Sequence, residues 1–242
     1  MNKSDQVKKN HILAALPAGE LKRWLPNLEL VDMPLGKVLY EAGDTLSHVY
    51  FPTTAIVSLL YVMKDGDSAE IAVVGNDGLL GISLFMGGGS TSSRALIQNA
   101  GVGFRMKAAL VQAAFKKSAA VMHLFLRYTQ ALITQMTSSA ACNKHHSLDQ
   151  QLCRWILLTL DRKEGEVLTM TKQLIANMLG TDGKQMREGA NKLQKAGLIR
   201  YAKGCITVLD RQGLEKRSCE CYRVVEDEYA RLLPPRTHTQ TA

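Results

Sequence analysis

The stretch Thr169 to Leu209, TMTKQLIANMLGTDGKQMREGANKLQKAGLIRYAKGCITVL, admits few folds. Leu174, Ile175, Met178 and Leu179 recur at the spacing of one helix face, and Thr171 stands where a cap belongs. Gly180 follows at once. A helix that turns sharply into another needs a positive φ there, which glycine adopts at no steric cost. Asp182 is placed to cap a second helix, and Gln185 three residues on resembles a capping box. Met186, Ala190 and Leu193 form its inner face, and small Ala176 lets the two helices cross closely. Two β-branched runs around AKG then make a glycine-closed hairpin. Helix, tight turn, helix and hairpin together specify a winged helix-turn-helix.

The charge of the chain is concentrated in the same place. Of a formal net charge of +8, residues 172–203 carry +5, from seven Lys/Arg against Asp182 and Glu188. The outer face of the second helix presents Lys184, Gln185, Arg187, Glu188, Asn191 and Lys192, a hydrogen-bonding surface on a helix slim enough for the major groove. Thr171 and Lys172, at the start of the first helix, are expected to meet phosphates, as is Lys203 at the hairpin tip. The DNA-contacting set is thus Thr171, Lys172, Asp182, Lys184, Gln185, Arg187, Glu188, Lys192 and Lys203.

Upstream the texture differs. The apolar positions from Ile12 to Leu25 suggest short helices interrupted by Pro17 and Gly19. From Leu30 to about Arg105, the runs KVLY, HVYF, AIVSLLYVM, AEIAVV, RALIQ and VGFRM alternate with turn signals such as EAGD, KDGD and GNDG, which predicts an antiparallel barrel or jelly roll. Then AAVMHLFLRYTQALITQMTSS predicts a long helix with a stripe of Val121, Phe125, Tyr128, Leu132 and Met136. A barrel this small leaves stripe to spare, so a homodimer seam is expected there in preference to packing on the barrel. CNKHHSLDQ is a polar break, and Ser147 is placed to cap LDQQLCRWILLTLDR. The chain divides into 1–118, a β effector domain, 119–144, a dimerisation helix, and 145–242, a DNA-binding domain; the class is α+β.

No run of 18 apolar residues occurs, and MNKSDQVKKNHILAALPAGE has no signal-peptide pattern, so a cytoplasmic location is expected. Five scattered cysteines make a poor disulfide framework. Cys142 with His145 and His146 has ligand-like spacing, and Cys219-Glu220-Cys221 is a close pair, but neither completes four ligands. Buried thiols and interface histidines are the reading at this level, with no metal and no cofactor expected. GGGSTSS lacks the lysine of a phosphate-binding loop, GTDGKQ has the wrong glycine spacing, and no catalytic set is apparent.

The layout resembles the Crp/Fnr superfamily of bacterial transcription regulators, over about residues 10–225. The likeness is strongest in LTMTKQLIANMLGTDGKQMREGANKLQKAGLIRYAKGCITVLDRQGLE and clear in MPLGKVLYEAGDTLSHVYF, which is similar to the opening strands of the cyclic-nucleotide-binding fold. The resemblance implies a regulator that dimerises through its long helix on a pseudo-palindromic site, with double-stranded DNA as partner and RNA polymerase as a candidate second one. It also implies that an arginine, a glutamate and a second arginine commonly read bases where this chain has Gly183, Lys184 and Glu188, so the family's usual half-site is not expected here.

The resemblance further implies a phosphate cassette beginning with a glycine-glutamate pair, the glutamate accepting from a ribose 2′-OH. Aligning Gly78 puts Leu79 at the glutamate, and Arg94 is the candidate for the cassette's arginine. Gly78, Leu79, Leu80, Gly81, Arg94 and Ala95 therefore mark the candidate effector pocket, and the barrel is expected either to sense an unidentified ligand other than cyclic AMP, a small anion being one candidate, or to serve as a dimerising scaffold without one. The N-terminal cysteine cluster of iron-sulfur members has no counterpart, since no cysteine precedes Cys142. The alternatives are a protein-interaction module with a degenerate helix-turn-helix, or a cyclic-nucleotide-responsive regulator.

Overall fold

Seven strands form the N-terminal unit: β1 (Glu29–Met33), β2 (Val38–Tyr40), β3 (His48–Pro52), β4 (Ile56–Val62), β5 (Ser68–Val74), β6 (Ser93–Asn99) and β7 (Gly101–Lys107). They pair antiparallel as two sheets, ordered β1-β7-β3 and β2-β6-β4-β5. A computed structural model of the chain describes residues 2–163, 165, 167–169, 172–202 and 204–235, with only the backbone of Lys172 and Gln173. The expected runs correspond to β2 through β7. The first strand was not among them because Leu30 points to solvent and Val31 is only half-buried, so the apolar alternation that marks a strand is missing. In β4, residues 56–60 are all buried, because one face looks into the barrel and the other is covered by helices.

Three short helices, α1 (Lys3–Val7), α2 (His11–Ala14) and α3 (Ala18–Trp24), precede the strands. Buried Asn10 fastens them: its side-chain oxygen accepts from the Leu13 N–H to cap α2, and its amide donates to the carbonyls of Pro52 and Gly78, each at 2.8 Å. After β7 come α4 (Ala108–Lys117), α5 (Ala119–His145) and α6 (Leu148–Leu160). Ser118 caps α5, and Ser147 caps α6 in a closed capping box with Gln150.

The C-terminal unit contains α6, β8 (Val167–Thr169), α7 (Lys172–Met178), α8 (Gly183–Lys195), β9 (Ile199–Ala202) and β10 (Cys205–Val208), with strand order β8-β10-β9. Two further helices, α9 (Arg211–Arg217) and α10 (Glu220–Leu232), follow. The last runs back along α5: the Tyr229 ring meets Tyr128 edge-on, 6.5 Å between centroids. On the other side α7 lies against β5, and the Met178 sulfur is 3.7 Å from the Ser58 hydroxyl.

Candidate nucleic-acid interface

The tight turn forms as the sequence demands. Gly180 has φ +61°, and the Thr181 N–H donates to the Ala176 carbonyl at 2.9 Å, which closes α7 with a Schellman-type bond. Asp182 caps α8 by accepting from the N–H groups of Lys184 and Gln185, each at 2.8 Å. The capping box expected with Gln185 is not made: its side-chain carbonyl accepts instead from the Thr181 hydroxyl. Ile175, Ala176, Met178, Met186, Ala190 and Leu193 are buried, and Leu174 is only half-buried.

Lys184, Gln185, Arg187, Glu188, Asn191 and Lys192 stand together on the exposed face of α8. Lys192 faces Asp149 of α6 at 3.7 Å, and Arg217 reaches the same carboxylate at 3.1 Å. The hairpin of β9 and β10 is paired from Ile199 with Val208 to Ala202 with Cys205, and β8 adds a third strand to the wing. Thr171 and Lys203 lie outside the described residues, as does the side chain of Lys172.

The expected dimer seam needs correction. Val121, Phe125, Tyr128 and Leu132 are at most 1% exposed within the single chain, and Met136 is half-buried. The stripe is covered by this chain's own aromatics: Phe125 lies 5.0 Å from Phe85, 6.5 Å from Phe115 and 6.1 Å from Trp24, centroid to centroid. Phe115 belongs to α4 and the neighbouring Tyr229 to α10, two helices the sequence reading did not supply, so it underestimated the cover available. The outward face of α5 carries His123, Leu126, Gln130, Ile133, Thr137 and Ala140, spaced by alternating threes and fours, with Leu126 46% and Ile133 45% exposed.

The candidate effector stretch is tied into the scaffold. Leu79, Leu80 and Ala95 are buried in the core, Leu80 pairs with Tyr50 of β3, and Gly81 has φ +113°. The Tyr128 hydroxyl donates to the Leu79 carbonyl at 3.0 Å. A Cβ on Gly78 would stand 2.4 Å from that hydroxyl, so glycine is required there for close approach of α5. Arg94, partly exposed, holds Glu41 as counter-ion at 2.6 Å.

The fold also joins two sequence features that each fell short alone. Cys142 and His146, one turn apart at the end of α5, meet Cys219 and Cys221 at the start of α10, and one ligand atom from each lies within 4.8 Å of all the others. His145 is exposed and outside the group. The signal was present as a Cys-x₃-His spacing at a helix end and a Cys-x-Cys pair; what was missing was the course of α10.

Residues 150–217 match the family of Crp-like helix-turn-helix domains. In three dimensions the chain is similar to a Crp/Fnr-family transcriptional regulator from Eubacterium rectale, at 16% identity and TM-score 0.67, covering 89% of this chain and 99% of that one. FixK2 from Bradyrhizobium japonicum gives 14% identity and TM-score 0.65, covering 79% and 98%. The c-di-GMP-responsive global regulator CLP from Xanthomonas campestris gives 15% and 0.62, covering 80% and 100%. None of the curated proteins matches the chain in sequence. The likeness defines the fold of the chain, which is that of the Crp/Fnr-family structures it resembles. Within it, this chain combines a cyclic-nucleotide-binding-like barrel, a long helix and a Crp-like helix-turn-helix domain. No helix among the described residues is long and apolar enough to cross a membrane.

Proposed function

We propose that the protein is a sequence-specific DNA-binding transcription regulator that acts as a homodimer, and not a catalyst. The observation that carries this reading is α8: capped by Asp182, held by a buried face of Met186, Ala190 and Leu193, and presenting Lys184, Gln185, Arg187, Glu188 and Asn191 outward. Such a helix fits the major groove with donors and acceptors aimed at base edges. The +5 charge of residues 172–203 adds the salt-dependent attraction to phosphates.

The dimer uses the outward face of α5. Leu126, Ile133 and Ala140 recur every seven residues between His123, Gln130 and Thr137, the repeat of a coiled-coil seam. Two recognition helices related by a twofold axis then require half-sites about one helical turn, roughly 34 Å, apart. The effector is not cyclic AMP: buried Leu79 offers no acceptor to a ribose hydroxyl, and Arg94 has a carboxylate partner in Glu41. The family resemblance makes RNA polymerase the candidate second partner of the DNA-bound state.

Selection of bound DNA from a random pool, with and without cyclic nucleotides, tests this. The expected product is a pseudo-palindrome enriched equally in both arms and protected as two half-sites. No enrichment, or protection of a single half-site, overturns it.

A further inference from the structure

His146 is the C-cap residue of α5, and its N–H donates to the carbonyl of Cys142 at 3.0 Å, so the two residues lie one turn apart at that helix end. Cys219 is the residue before α10 and Cys221 lies in its first turn. The Cys142 and Cys219 sulfurs are 3.5 Å apart, and the Cys221 sulfur is 3.6 Å from His146 Nδ1. A tetrahedral zinc-type centre with metal–sulfur bonds of about 2.3 Å and a metal–nitrogen bond of about 2.0 Å has edges of roughly 3.5 to 3.8 Å. The two edges given fall at that spacing, and the remaining ones need close by no more than about 1.3 Å from the 4.8 Å limit. We propose that Cys142, His146, Cys219 and Cys221 bind one zinc-class divalent cation per chain, through three thiolates and His146 Nδ1.

The surroundings suit such a centre. The other nitrogen of His146, Nε2, faces the Glu220 carboxylate at 3.3 Å. That is the carboxylate–histidine–metal arrangement, which fixes the ring so that Nδ1 meets the metal. Gln151 donates to the His146 carbonyl at 2.9 Å and holds the backbone of the ligand-bearing turn. The three thiols are buried, so water competes weakly for the ion. On binding, the thiols release three protons and the dication meets three thiolates, leaving one net negative charge. Arg154, itself 5% exposed, acts electrostatically on Cys142 and Cys221 and compensates it. A disulfide between Cys142 and Cys219 is the competing fate; it would need sulfurs about 2.05 Å apart and would leave Cys221 and His146 without a role.

The centre would clamp two segments 77 residues apart, the end of the long helix and the start of the terminal one. It sits where α5 hands over to the helix-turn-helix domain, so metal occupancy would set how firmly the two are joined. This holds whether or not the protein binds DNA, because the test reads metal alone.

The intact chain, purified under reducing, air-free conditions on a tag without histidines, is titrated with cobalt(II) and then zinc. The expected result is one cobalt per chain with the intense visible and thiolate charge-transfer absorption of a tetrahedral sulfur site, displaced by one zinc that raises the melting temperature. Cys142→Ser and Cys221→Ser should each abolish 1:1 binding, while Cys205→Ser, outside the group, retains it. Glu220→Gln, an exposed change that does not threaten folding, should weaken zinc binding roughly 10- to 100-fold. A weak octahedral cobalt spectrum, stoichiometry unchanged in Cys221→Ser, or a thiol count showing a Cys142–Cys219 disulfide in the air-free protein would overturn the site.

Discussion

The guanidinium of Arg162 lies 3.0 Å from the carboxylate of Asp77, with side chains 0% and 3% exposed. Asp77 follows β5 in the barrel and Arg162 follows α6, so this ion pair joins the two units of the chain. Arg162 also donates to the Leu158 carbonyl at 2.7 Å and to the Gln135 side-chain oxygen at 2.9 Å, and lies 5.0 Å over the Tyr229 ring. Gly75 completes the fit, since a Cβ there would stand 2.6 Å from the Arg162 side chain. One buried cation thus touches the barrel, the long helix and the terminal helix.

Removing one member of a buried pair strands the other's charge, which costs about 3 to 5 kcal/mol. Arg162→Met should therefore lower stability by that order in urea unfolding. Pairing it with Asp77→Leu removes the stranded carboxylate, so the double variant should be more stable than Arg162→Met alone. A double variant at least as unstable as the single would show that packing around Arg162, and not its charge, matters.

A buried carboxyl, that of Glu70, lies where the helix-turn-helix domain meets the barrel. The Ser58 hydroxyl oxygen is 2.5 Å from both Glu70 Oε2 and Gln98 Oε1. One hydroxyl proton cannot serve two acceptors, so this arrangement is the one made when the Glu70 carboxyl carries a proton of its own. Burial pushes the Glu70 pKa up to about 7 from the ordinary 4.5, against the opposing pull of Ser58, Arg154, Trp155 and Arg162. A folded value above the unfolded one means that the stabilisation is complete below about 4.5 and is lost as pH rises through about 7. Unfolding free energies measured from pH 4.5 to 8 should fall with pH more steeply in the wild type than in Glu70→Gln; identical slopes would refute a buried neutral Glu70.

Much of this architecture was legible because it rests on local rules. Gly180, Asp182 and the three-and-four spacing of Met186, Ala190 and Leu193 dictate a helix, turn and helix whatever surrounds them. Most barrel strands announced themselves by β-branched runs between turn residues. What failed depended on long-range cover: the inward stripe of α5 looked like surplus apolar surface until Phe115 of α4 and Tyr229 of α10 were in place. The Cys/His group was hidden for the same reason, since its halves are 77 residues apart. Gly78 was read as the start of a phosphate cassette, whereas what requires glycine there is the close approach of the Tyr128 hydroxyl.

The two faces of α5 should respond differently to substitution. Ile133 and Leu126 are about half-exposed, so Leu126→Lys with Ile133→Glu should leave the fold intact and shift sedimentation from dimer to monomer. Leu132→Ala, in the inward stripe, should cost about 2 to 5 kcal/mol of stability. If the outward pair left a dimer unchanged, the seam would lie elsewhere.

Gly189 is a glycine inside α8 with ordinary helical backbone, and a Cβ there would meet Leu148 at a comfortable 3.7 Å. Alanine loses less chain entropy on folding, so Gly189→Ala should raise stability by roughly 0.5 to 1 kcal/mol. A lower melting temperature would mean that α6 and α8 pack more tightly than this spacing.

Base reading and phosphate attraction separate on α8. Lys184 stands on the first turn, beside Gln185 and four residues before Glu188, where side chains reach base edges in a groove-bound helix. A lysine donating to guanine O6 and N7 carries sequence information, whereas a lysine on a phosphate contributes equally to every sequence. Lys184→Ala should therefore relax the preference at one position of a selected half-site, by roughly tenfold, and weaken non-specific binding only slightly. Arg187→Ala, judged against the same site at several salt concentrations, shows which kind of contact Arg187 makes: a shallower salt slope marks a phosphate contact, a changed base preference a base contact. Changing Lys184, Gln185 and Glu188 together should abolish discrimination between the selected site and scrambled DNA. Unaltered discrimination in that triple variant would remove α8 from the reading role and shift attention to the wing of β9 and β10.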